Sequence, residues 1–196
     1  MRVVLATGNS GKLKELQTLL SPLNYELSAQ CEFFDEEVEE TGLSFIENAL
    51  LKARYASKNT GLPAIADDSG LCVNALNGEP GIYSARYSGP NSTASLNNSH
   101  LLKTLKNAPC RYAYFYCAIV FIKHFKDPTP LIALGQWKGN ILKAPQGEGG
   151  FGYDPLFQPD GYPHSAAELD ANLKNQISHR GLAIQSLINQ LKKDVR

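Results

Sequence analysis

The sequence lacks the features that mark several classes of protein. Its positive and negative side chains balance at 19 each over 196 residues, so no overall basic charge favours nucleic acid. No run of about 20 apolar residues is present to span a membrane. Only four apolar residues precede the first polar loop, too few for the apolar part of a signal peptide. We therefore expect a cytoplasmic protein without nucleic-acid or membrane partners.

Cysteine is scarce, and its spacing suits neither a zinc site nor a disulfide framework. The four cysteines, at positions 31, 72, 110 and 117, form no C-x-x-C pair and no Cys/His metal spacing. Two of them lie in apolar, strand-like runs, and we predict reduced thiols, some of them buried. A chain of this length can bury roughly 70% of its unfolded surface. We expect one domain with a conventional core, or one large and one small lobe.

Apolar runs of strand length alternate with helical patterns. Residues 44–61 predict a helix, because Ser44 begins a capping box, small apolar residues recur every three or four positions, and a glycine ends the pattern. Residues 111–123 and 131–137 are rich in strand formers and predict an antiparallel hairpin, with a possible continuation at 141–143. A second amphipathic helix covers residues 184–191. These elements predict an α/β fold with a mixed sheet.

A glycine-containing loop, Thr7–Lys12, joins the first predicted strand to a helical pattern that begins at Leu13. Its glycines let backbone N–H groups point at an anion, and the helix N-terminus and Lys12 add positive charge. The loop differs from a Walker A motif, since Ala6 replaces the first glycine and Leu13 replaces the magnesium-binding hydroxyl. From this loop alone, phosphate binding and a simple turn with a surface lysine both stay open.

Carboxylates are concentrated in two places. Six lie between positions 32 and 40, and most of these must be solvated. Asp67 and Asp68 follow an apolar strand that we predict to end there, where open α/β sheets bind ligands. Adjacent carboxylates repel unless a cation or protons neutralise them, and Mg²⁺ prefers oxygen ligands. We favour a magnesium ion at Asp67 and Asp68 over an exposed Asx turn. In the acidic run, one carboxylate near Thr41 could also turn inward to a metal; the alternative is a charged surface loop.

Two other segments carry aromatic and charged side chains. Arg86 stands between tyrosines, where it could bind phosphate or simply stack. Residues 147–152 match GxGxxG, but Tyr153-Asp154-Pro155 follows instead of a helix, which excludes a dinucleotide-binding turn. Phe151, Tyr153 and Asp154 could instead close over a planar ring. The alternative is a hairpin loop whose aromatic residues pack in the core.

Cationic and donor side chains gather before the C-terminal helix, at Lys174 and at Ser178-His179-Arg180. Basic residues normally favour the other end of a helix. Their position therefore suggests an anionic or acceptor-rich ligand, although simple solvent exposure would also be tolerated.

Taken together, these motifs resemble one family, the inosine/xanthosine triphosphate pyrophosphatases, which clear non-standard purine nucleotides. The resemblance runs from Val3 to Leu191, and several ordered motifs are more specific than any one of them. Seven motifs carry it: TGNSGK at 7–12, EETG at 39–42, FIENA at 45–49, ADDSG at 66–70, PGIYSARYSG at 80–89, GGFGYDP at 149–155 and SHRG at 178–181.

The resemblance implies an elongated α/β fold with a long, curved mixed sheet, flanking helices, and two lobes around a nucleotide cleft. It implies a single pyrophosphatase domain over residues 1–196 and a homodimer. It also implies Mg²⁺-dependent hydrolysis of ITP, dITP and XTP to the monophosphate and pyrophosphate, which prevents their incorporation into nucleic acids. The alternatives are a pyrophosphatase for other modified nucleotides and a non-catalytic nucleotide-binding or regulatory protein.

The resemblance also implies roles for individual residues. Asp68 is the implied general base, and Glu39 and Asp68 are the implied metal ligands. Arg86 and Lys12 are candidates to take up charge on the triphosphate. The full set expected to bind substrate is Thr7, Gly8, Asn9, Ser10, Gly11, Lys12, Ser69, Arg86, Phe151, Gly152, Tyr153, Asp154, Lys174, His179 and Arg180.

Overall fold

The structure is a computed structural model that describes residues 1–7, 13, 16–17, 20–21, 24–36 and 38–194. Residues 13, 16, 17 and 20 are helical, in agreement with the helical pattern after the first loop. The strands with defined bounds are β1 (Arg2–Leu5), β2 (Glu26–Ala29), β3 (Ala64–Val73), β4 (Tyr112–Ile122), β5 (Leu131–Ile141) and β6 (Phe157–Pro159). The helices with defined bounds are α1 (Phe45–Thr60), α2 (Ala94–Thr104), α3 (Ala171–Ile177) and α4 (His179–Asp194).

The six strands form one sheet in the order β2-β1-β3-β4-β5-β6. β1 pairs in parallel with β2, where Arg2 lies opposite Glu26, and also in parallel with β3. β6 pairs with β5 in the antiparallel sense, and Ile141 lies opposite Phe157. The prediction of an α/β fold with a mixed sheet is therefore confirmed.

The helix predicted at residues 44–61 is α1, and both of its ends are capped as expected. The Ser44 hydroxyl accepts a hydrogen bond from the Glu47 backbone N–H at 3.3 Å. Gly61 ends the helix with φ of 70°, a left-handed conformation that glycine adopts at little cost. Ala49 and Ala53 are fully buried on the face that the pattern predicted.

β3 differs from its prediction, because it does not end at Asp67. It continues without interruption from Ala64 to Val73, through Asp67 and Asp68. Neighbouring strand residues point to opposite faces of a sheet, so these two side chains do not confront each other. The prediction was wrong because it relied on the low strand propensity of Asp, Ser and Gly, which tertiary contacts override.

The predicted hairpin corresponds to β4 and β5, which are neighbours in the sheet and are joined by residues 123–130. Asp127 is 3% exposed and organises the connection. Its Oδ2 accepts from the Lys123 N–H and its Oδ1 from the Thr129 N–H, both at 2.9 Å. Burial is the largest single influence and raises the pKa of Asp127. The hydrogen bonds from Lys123 and Thr129 together outweigh it, so the pKa is lowered. β5 ends at Ile141, so the possible continuation over residues 141–143 is found only at its first residue.

The chain divides into two compact units, each with its own apolar core. Unit 1 comprises Met1–Asp68, Cys117–Leu134 and Ala183–Arg196, and unit 2 comprises Ser69–Tyr116 and Gly135–Leu182. Buried residues of unit 1 include Leu5, Ile65, Phe121 and Ile184, and those of unit 2 include Leu71, Phe115, Trp137 and Phe157. Each large apolar side chain contributes about 1.5–3 kcal/mol when buried.

Two expectations from composition can be compared with the described residues. Cys72 and Cys117 are buried, which confirms that some of the thiols are buried, whereas Cys31 and Cys110 are exposed. Within the described part of the chain, no helix has the length and apolar character needed to cross a membrane.

Candidate functional site

Unit 1 holds a group of polar and charged side chains around Asp68, which we call the carboxylate cluster (Glu40, Asn48, Lys52 and Asp68). Asn48 and Lys52 are four residues apart in α1 and therefore lie on the same face of the helix. Asn48 Nδ2 donates to Asp68 Oδ2 at 3.2 Å, and Lys52 Nζ lies 3.5 Å from Asp68 Oδ1. Both oxygens of the predicted general base are thus held by α1, which orients the carboxylate.

The acidic residue that joins Asp68 in this cluster is Glu40. Its Oε1 lies 2.7 Å from Lys52 Nζ, whereas the neighbouring Glu39 is exposed. Burial lowers the pKa of Lys52, but the negative charges of Asp68, Glu40 and Asp67 outweigh it and leave that pKa raised. The structure therefore brings Glu40 and Asp68 to one ammonium group and places the predicted ligand Glu39 outside this ion pair.

Asn48 is buried, and its position depends on Gly42. The Gly42 backbone N–H donates to Asn48 Oδ1 at 2.8 Å. A Cβ atom at Gly42 would lie 2.7 Å from that same oxygen and 2.6 Å from Glu47 Cβ, so any larger residue would displace α1 or the amide. Sequence reasoning missed Asn48 and Lys52 as functional residues. The signal that could have identified Asn48 was a polar residue next to the apolar face of a helix with capping residues at both ends.

The carboxylate cluster also defines which side chains could hold a metal. Among the residues that the structure describes, no three His, Cys, Asp or Glu side chains converge as a ligand group. Mg²⁺, however, commonly takes only one or two carboxylates and completes its coordination with water and phosphate oxygens. Asp68 with Glu40 or Glu39 fits such a partial donor set.

The predicted phosphate loop is described only at its first residue. The Thr7 backbone N–H donates to the Leu5 carbonyl at 2.9 Å, directly after β1. Gly8, Asn9, Ser10, Gly11 and Lys12 lie outside the described residues. Their predicted role in phosphate binding stays a prediction.

Unit 2 holds a second group, which we call the aromatic–cation cluster (Phe151, Asp154, Lys174 and Arg180). Lys174 Nζ lies 2.5 Å from Asp154 Oδ2, and the Phe151 backbone N–H donates to the same oxygen at 2.6 Å. The Lys174 ammonium also lies 4.8 Å from the centre of the Phe151 ring. The Phe151 ring is 61% exposed, so it presents a flat apolar surface next to a cation.

The backbone of this loop requires glycine at position 150. Gly150 has φ of 75°, and a Cβ atom there would overlap the Asp154 carboxylate. The same turn gives Phe151 its contact with that carboxylate. The glycines of the segment thus let the backbone pack closely against the Asp154 carboxylate.

The start of α4 adds two of the predicted residues to this cluster. Arg180 lies with its guanidinium carbon 5.7 Å from the centre of the Phe151 ring and donates to Ser69 Oγ at 3.4 Å. His179 is 6% exposed, and its ring stacks on that of Phe115 with centroids 4.8 Å apart and an interplanar angle of 12°. The structure therefore brings together Ser69, Phe151, Asp154, Lys174 and Arg180, with His179 packed behind them.

Two other predicted residues of unit 2 are Arg86 and Tyr153. Arg86 is exposed and lies over the Tyr83 ring at 5.2 Å, which matches the stacking alternative without excluding phosphate binding. Tyr153 is buried, and its hydroxyl donates to the Ser84 carbonyl at 2.8 Å. Burial raises the pKa of Tyr153 well above its ordinary value. Its place in the core of unit 2 makes it a support for the loop that carries Phe151 and Gly152.

Comparisons with known proteins agree along nearly the whole chain. A model of the Ham1 family matches residues 3–190. A dITP/XTP pyrophosphatase of Shigella flexneri is 54% identical over 193 residues, which cover 97% of this chain and 98% of that protein. The dITP/XTP pyrophosphatase of Escherichia coli K12 is 52% identical over the same length and coverage.

Solved structures give the same result. A HAM1 protein from Coxiella burnetii superposes with a TM-score of 0.96 at 46% identity, covering 98% of this chain and 99% of that one. A nucleoside-triphosphatase, dITP/XTP pyrophosphatase, from Mycobacterium abscessus superposes with a TM-score of 0.83 at 42% identity, covering 97% and 100%.

Proposed function

The chain belongs to the Ham1 family, and we propose that it hydrolyses dITP, XTP and ITP to the nucleoside monophosphate and pyrophosphate. Relatives named dITP/XTP pyrophosphatase are more than half identical to it over nearly their full length. The observation that carries the substrate class is the aromatic–cation cluster. In it an exposed Phe151 ring lies beside the Lys174 ammonium and the Arg180 guanidinium.

This cluster suits a purine with an oxygen at position 6. The Phe151 ring offers a face for stacking, and Lys174 and Arg180 carry only hydrogen-bond donors. A 6-oxo purine presents an acceptor to such donors, whereas adenine presents an amino group that leaves them unpaired. An unpaired buried donor costs about 1–3 kcal/mol, which is enough to discriminate against ATP.

We assign the hydrolytic step to the carboxylate cluster. A water oxygen bonds to the α-phosphorus while the bond from that phosphorus to the bridging oxygen of the β-phosphate breaks, and pyrophosphate leaves. Asp68 takes the proton of the attacking water, because Asn48 and Lys52 hold it as an oriented carboxylate. We assign Asn48 and Lys52 as the groups that position this base.

Mg²⁺ is the proposed metal, held by Asp68 with Glu39 or Glu40 and completed by substrate phosphate oxygens. When bound, it would neutralise charge on the triphosphate. The carboxylates of the cluster outnumber its single ammonium group, Lys52, so an added cation is electrostatically favourable there. The residues Thr7, Gly8, Asn9, Ser10, Gly11, Lys12 and Arg86 are proposed to bind the phosphates.

The wider organisation of the protein is proposed with the function. Residues 1–196 are proposed to form one pyrophosphatase domain that assembles as a homodimer and works in the cytoplasm, where nucleotide precursors are used. Sedimentation equilibrium of the full chain measures the assembly directly. A monomer at micromolar concentration would contradict the dimer without affecting the proposed reaction.

The proposed reaction is tested by pyrophosphate release from ITP, dITP, XTP, GTP, ATP and dUTP, each with and without Mg²⁺. We expect release from the first three, at least tenfold faster than from ATP, and only with the metal. GTP shares the 6-oxo group, so its rate measures how strongly the 2-amino group is rejected.

Each alternative gives a different outcome in the same assay. Orthophosphate as the only product would contradict the proposed bond cleavage. Preferential turnover of dUTP would indicate a pyrophosphatase for modified pyrimidines. Saturable ITP binding with no product would indicate a nucleotide-binding or regulatory protein.

A further inference from the structure

Two adjacent asparagines of α2, Asn97 and Asn98, contact two different loops of unit 2. Neither belongs to the clusters described above, and the segment that contains them carries no motif of the family resemblance. The first, residues 84–88, starts within a 3₁₀ helix (Gly81–Arg86) and includes Arg86, and the second, residues 147–154, includes Phe151 and Asp154. A single turn of helix therefore touches both loops.

Asn97 is 5% exposed and fastens α2 to residues 84–88. Its Oδ1 accepts from the backbone N–H and the hydroxyl of Ser88, each at 2.8 Å. Its Nδ2 donates to the Ala85 carbonyl at 3.1 Å and approaches the Ser84 carbonyl at 3.4 Å. The amide is thus bonded on both sides, and α2 is fixed against this loop.

Asn98 makes one bond, and that bond reaches the binding loop. Its Nδ2 donates to the Gly152 carbonyl at 3.1 Å, across 54 residues of sequence. Gly152 has φ of 60° and stands between Phe151, whose ring is exposed, and Tyr153, which is anchored in the core. The bond therefore holds the peptide group between Gly152 and Tyr153, directly after Phe151.

The loop has little other packing on the side that faces α2. A cavity of about 360 Å³ lies there, lined by Asn98, Leu102, Pro145, Gly150, Phe151 and Pro155 among others. Glycines at 147, 149, 150 and 152 leave the backbone many accessible conformations. Away from the cavity the loop is closely packed, since a Cβ atom at Gly149 would lie 2.5 Å from the Ala167 carbonyl oxygen. On the side of the cavity, the hydrogen bond from Asn98 holds it.

Fold stability alone does not account for an asparagine at position 98. Its Oδ1 is inaccessible to solvent and has no hydrogen-bond partner among the residues that the structure describes. A buried acceptor without a partner destabilises a fold, and an apolar side chain of similar shape avoids that cost. Compared with such an apolar side chain, the asparagine contributes one hydrogen bond, from its Nδ2 to the Gly152 carbonyl.

We propose that Asn98 is a positioning residue for base recognition, which sets the Phe151 ring through its bond to the Gly152 carbonyl while Asn97 fixes α2. This role rests on the proposed function. Asn98 touches no reacting atom and acts through the backbone of the binding loop. Its loss weakens binding of the base and leaves the chemical step intact.

The kinetic test compares Asn98→Leu with Asn107→Leu, a control on an exposed asparagine just beyond α2. Leucine has nearly the same shape as asparagine but no donor. We expect KM for ITP to rise about tenfold, the equivalent of one hydrogen bond, with kcat within about threefold of wild type. Asn98→Gln retains the donor, and the cavity accepts its extra methylene, so it should recover most of the loss.

Hydrogen–deuterium exchange of residues 147–154 tests the positioning independently of activity. Asn98→Leu should speed exchange in this segment by about fivefold or more relative to wild type and to Asn107→Leu, with an unchanged Tm. Unchanged exchange, or a fall in kcat and Tm at constant KM, would overturn the proposal. A wild-type protein that releases no pyrophosphate from ITP would instead overturn the proposed function, and the exchange result would still decide the role of Asn98.

Discussion

The two units each hold a group of ion-paired side chains, but the excess charge has opposite sign. In the carboxylate cluster of unit 1, Glu40 and Asp68 both lie close to one ammonium group, that of Lys52. In the aromatic–cation cluster of unit 2, Lys174 and Arg180 face one carboxylate, that of Asp154, together with an aromatic ring. The first group has no aromatic member.

In the proposed mechanism, this difference assigns the chemical step to unit 1 and base recognition to unit 2. An excess of carboxylates cannot attract a triphosphate by itself, but it can bind a metal and accept a proton from water. An excess of cations beside an exposed ring suits a planar base that carries acceptors. Changes in unit 1 should therefore alter kcat, and changes in unit 2 should alter KM.

The largest expected effect is that of Asp68→Asn. The amide cannot accept the proton of the attacking water, so kcat for ITP should fall about 10²- to 10⁴-fold. At saturating Mg²⁺, KM should change far less than kcat, because the aromatic–cation cluster is untouched. Steady-state pyrophosphate release measures both constants, and circular dichroism verifies the fold.

Asp127→Asn is the matched control, since it makes the same chemical change elsewhere in unit 1. It weakens hydrogen bonds to a charged acceptor in the loop after β4 and should cost about 1–3 kcal/mol of stability. Its kcat per folded molecule should equal that of wild type. Near-normal turnover by Asp68→Asn would remove Asp68 from the role of base.

Lys174→Met is expected to have the next largest effect, in unit 2. It leaves the Asp154 carboxylate, whose side chain is 4% exposed, without its cation. Removal of one partner of such a pair should cost about 3 kcal/mol and lower Tm by roughly 6–12 °C for a chain of this size. KM for ITP should rise more than tenfold, because a donor to the base is lost.

The control for this change is Lys138→Met, on an exposed position of β5 in the same unit. It should alter neither Tm nor KM appreciably. If Lys174→Met lowered kcat and left KM unchanged, the assignment of recognition to unit 2 would be wrong.

The sequence predicted those elements whose signals are local. The capping residues of α1, the strand formers of β4 and β5 and the apolar positions of α4 each determine their element without distant partners. The course of β3 could not be predicted in this way. Asp67 and Asp68 stay within the strand because α1, distant in sequence, supplies Asn48 and Lys52 to one of them.

In the candidate site, too, residues within sequence motifs could be predicted, and residues that act through distant contacts could not. The resemblance named Asp68, Asp154, Lys174 and Arg180, which the structure places in the two clusters. It did not name Lys52, since a lysine within a helical pattern looks like an ordinary exposed residue. Nor did it name Asn98, whose partner is a backbone carbonyl 54 residues away. Side chains that act through such distant contacts leave no local pattern.

The smallest expected effect concerns Lys52, and it depends on pH. The pKa of Lys52 is raised above its ordinary value of 10.5 by Asp68 and Glu40, despite the opposing effect of burial. A raised pKa means that the ion pair stabilises the fold fully below pH 10.5 and loses this contribution as the pH rises through the folded-state pKa. The side chain is 20% exposed, so we expect a contribution of about 1–2 kcal/mol.

Denaturant unfolding of wild type and Lys52→Met between pH 7 and about pH 11.5 measures this contribution, with Lys58→Met on the same helix as the control. The difference in free energy of unfolding between wild type and Lys52→Met should stay constant to about pH 10 and shrink above 10.5. Lys58→Met should show no such difference at any pH. A gap that persisted undiminished above the raised pKa would mean that Lys52 stabilises unit 1 by packing and not by charge. That result would contradict the proposal that charge interactions hold the carboxylate cluster together, and with it the contrast with the aromatic–cation cluster.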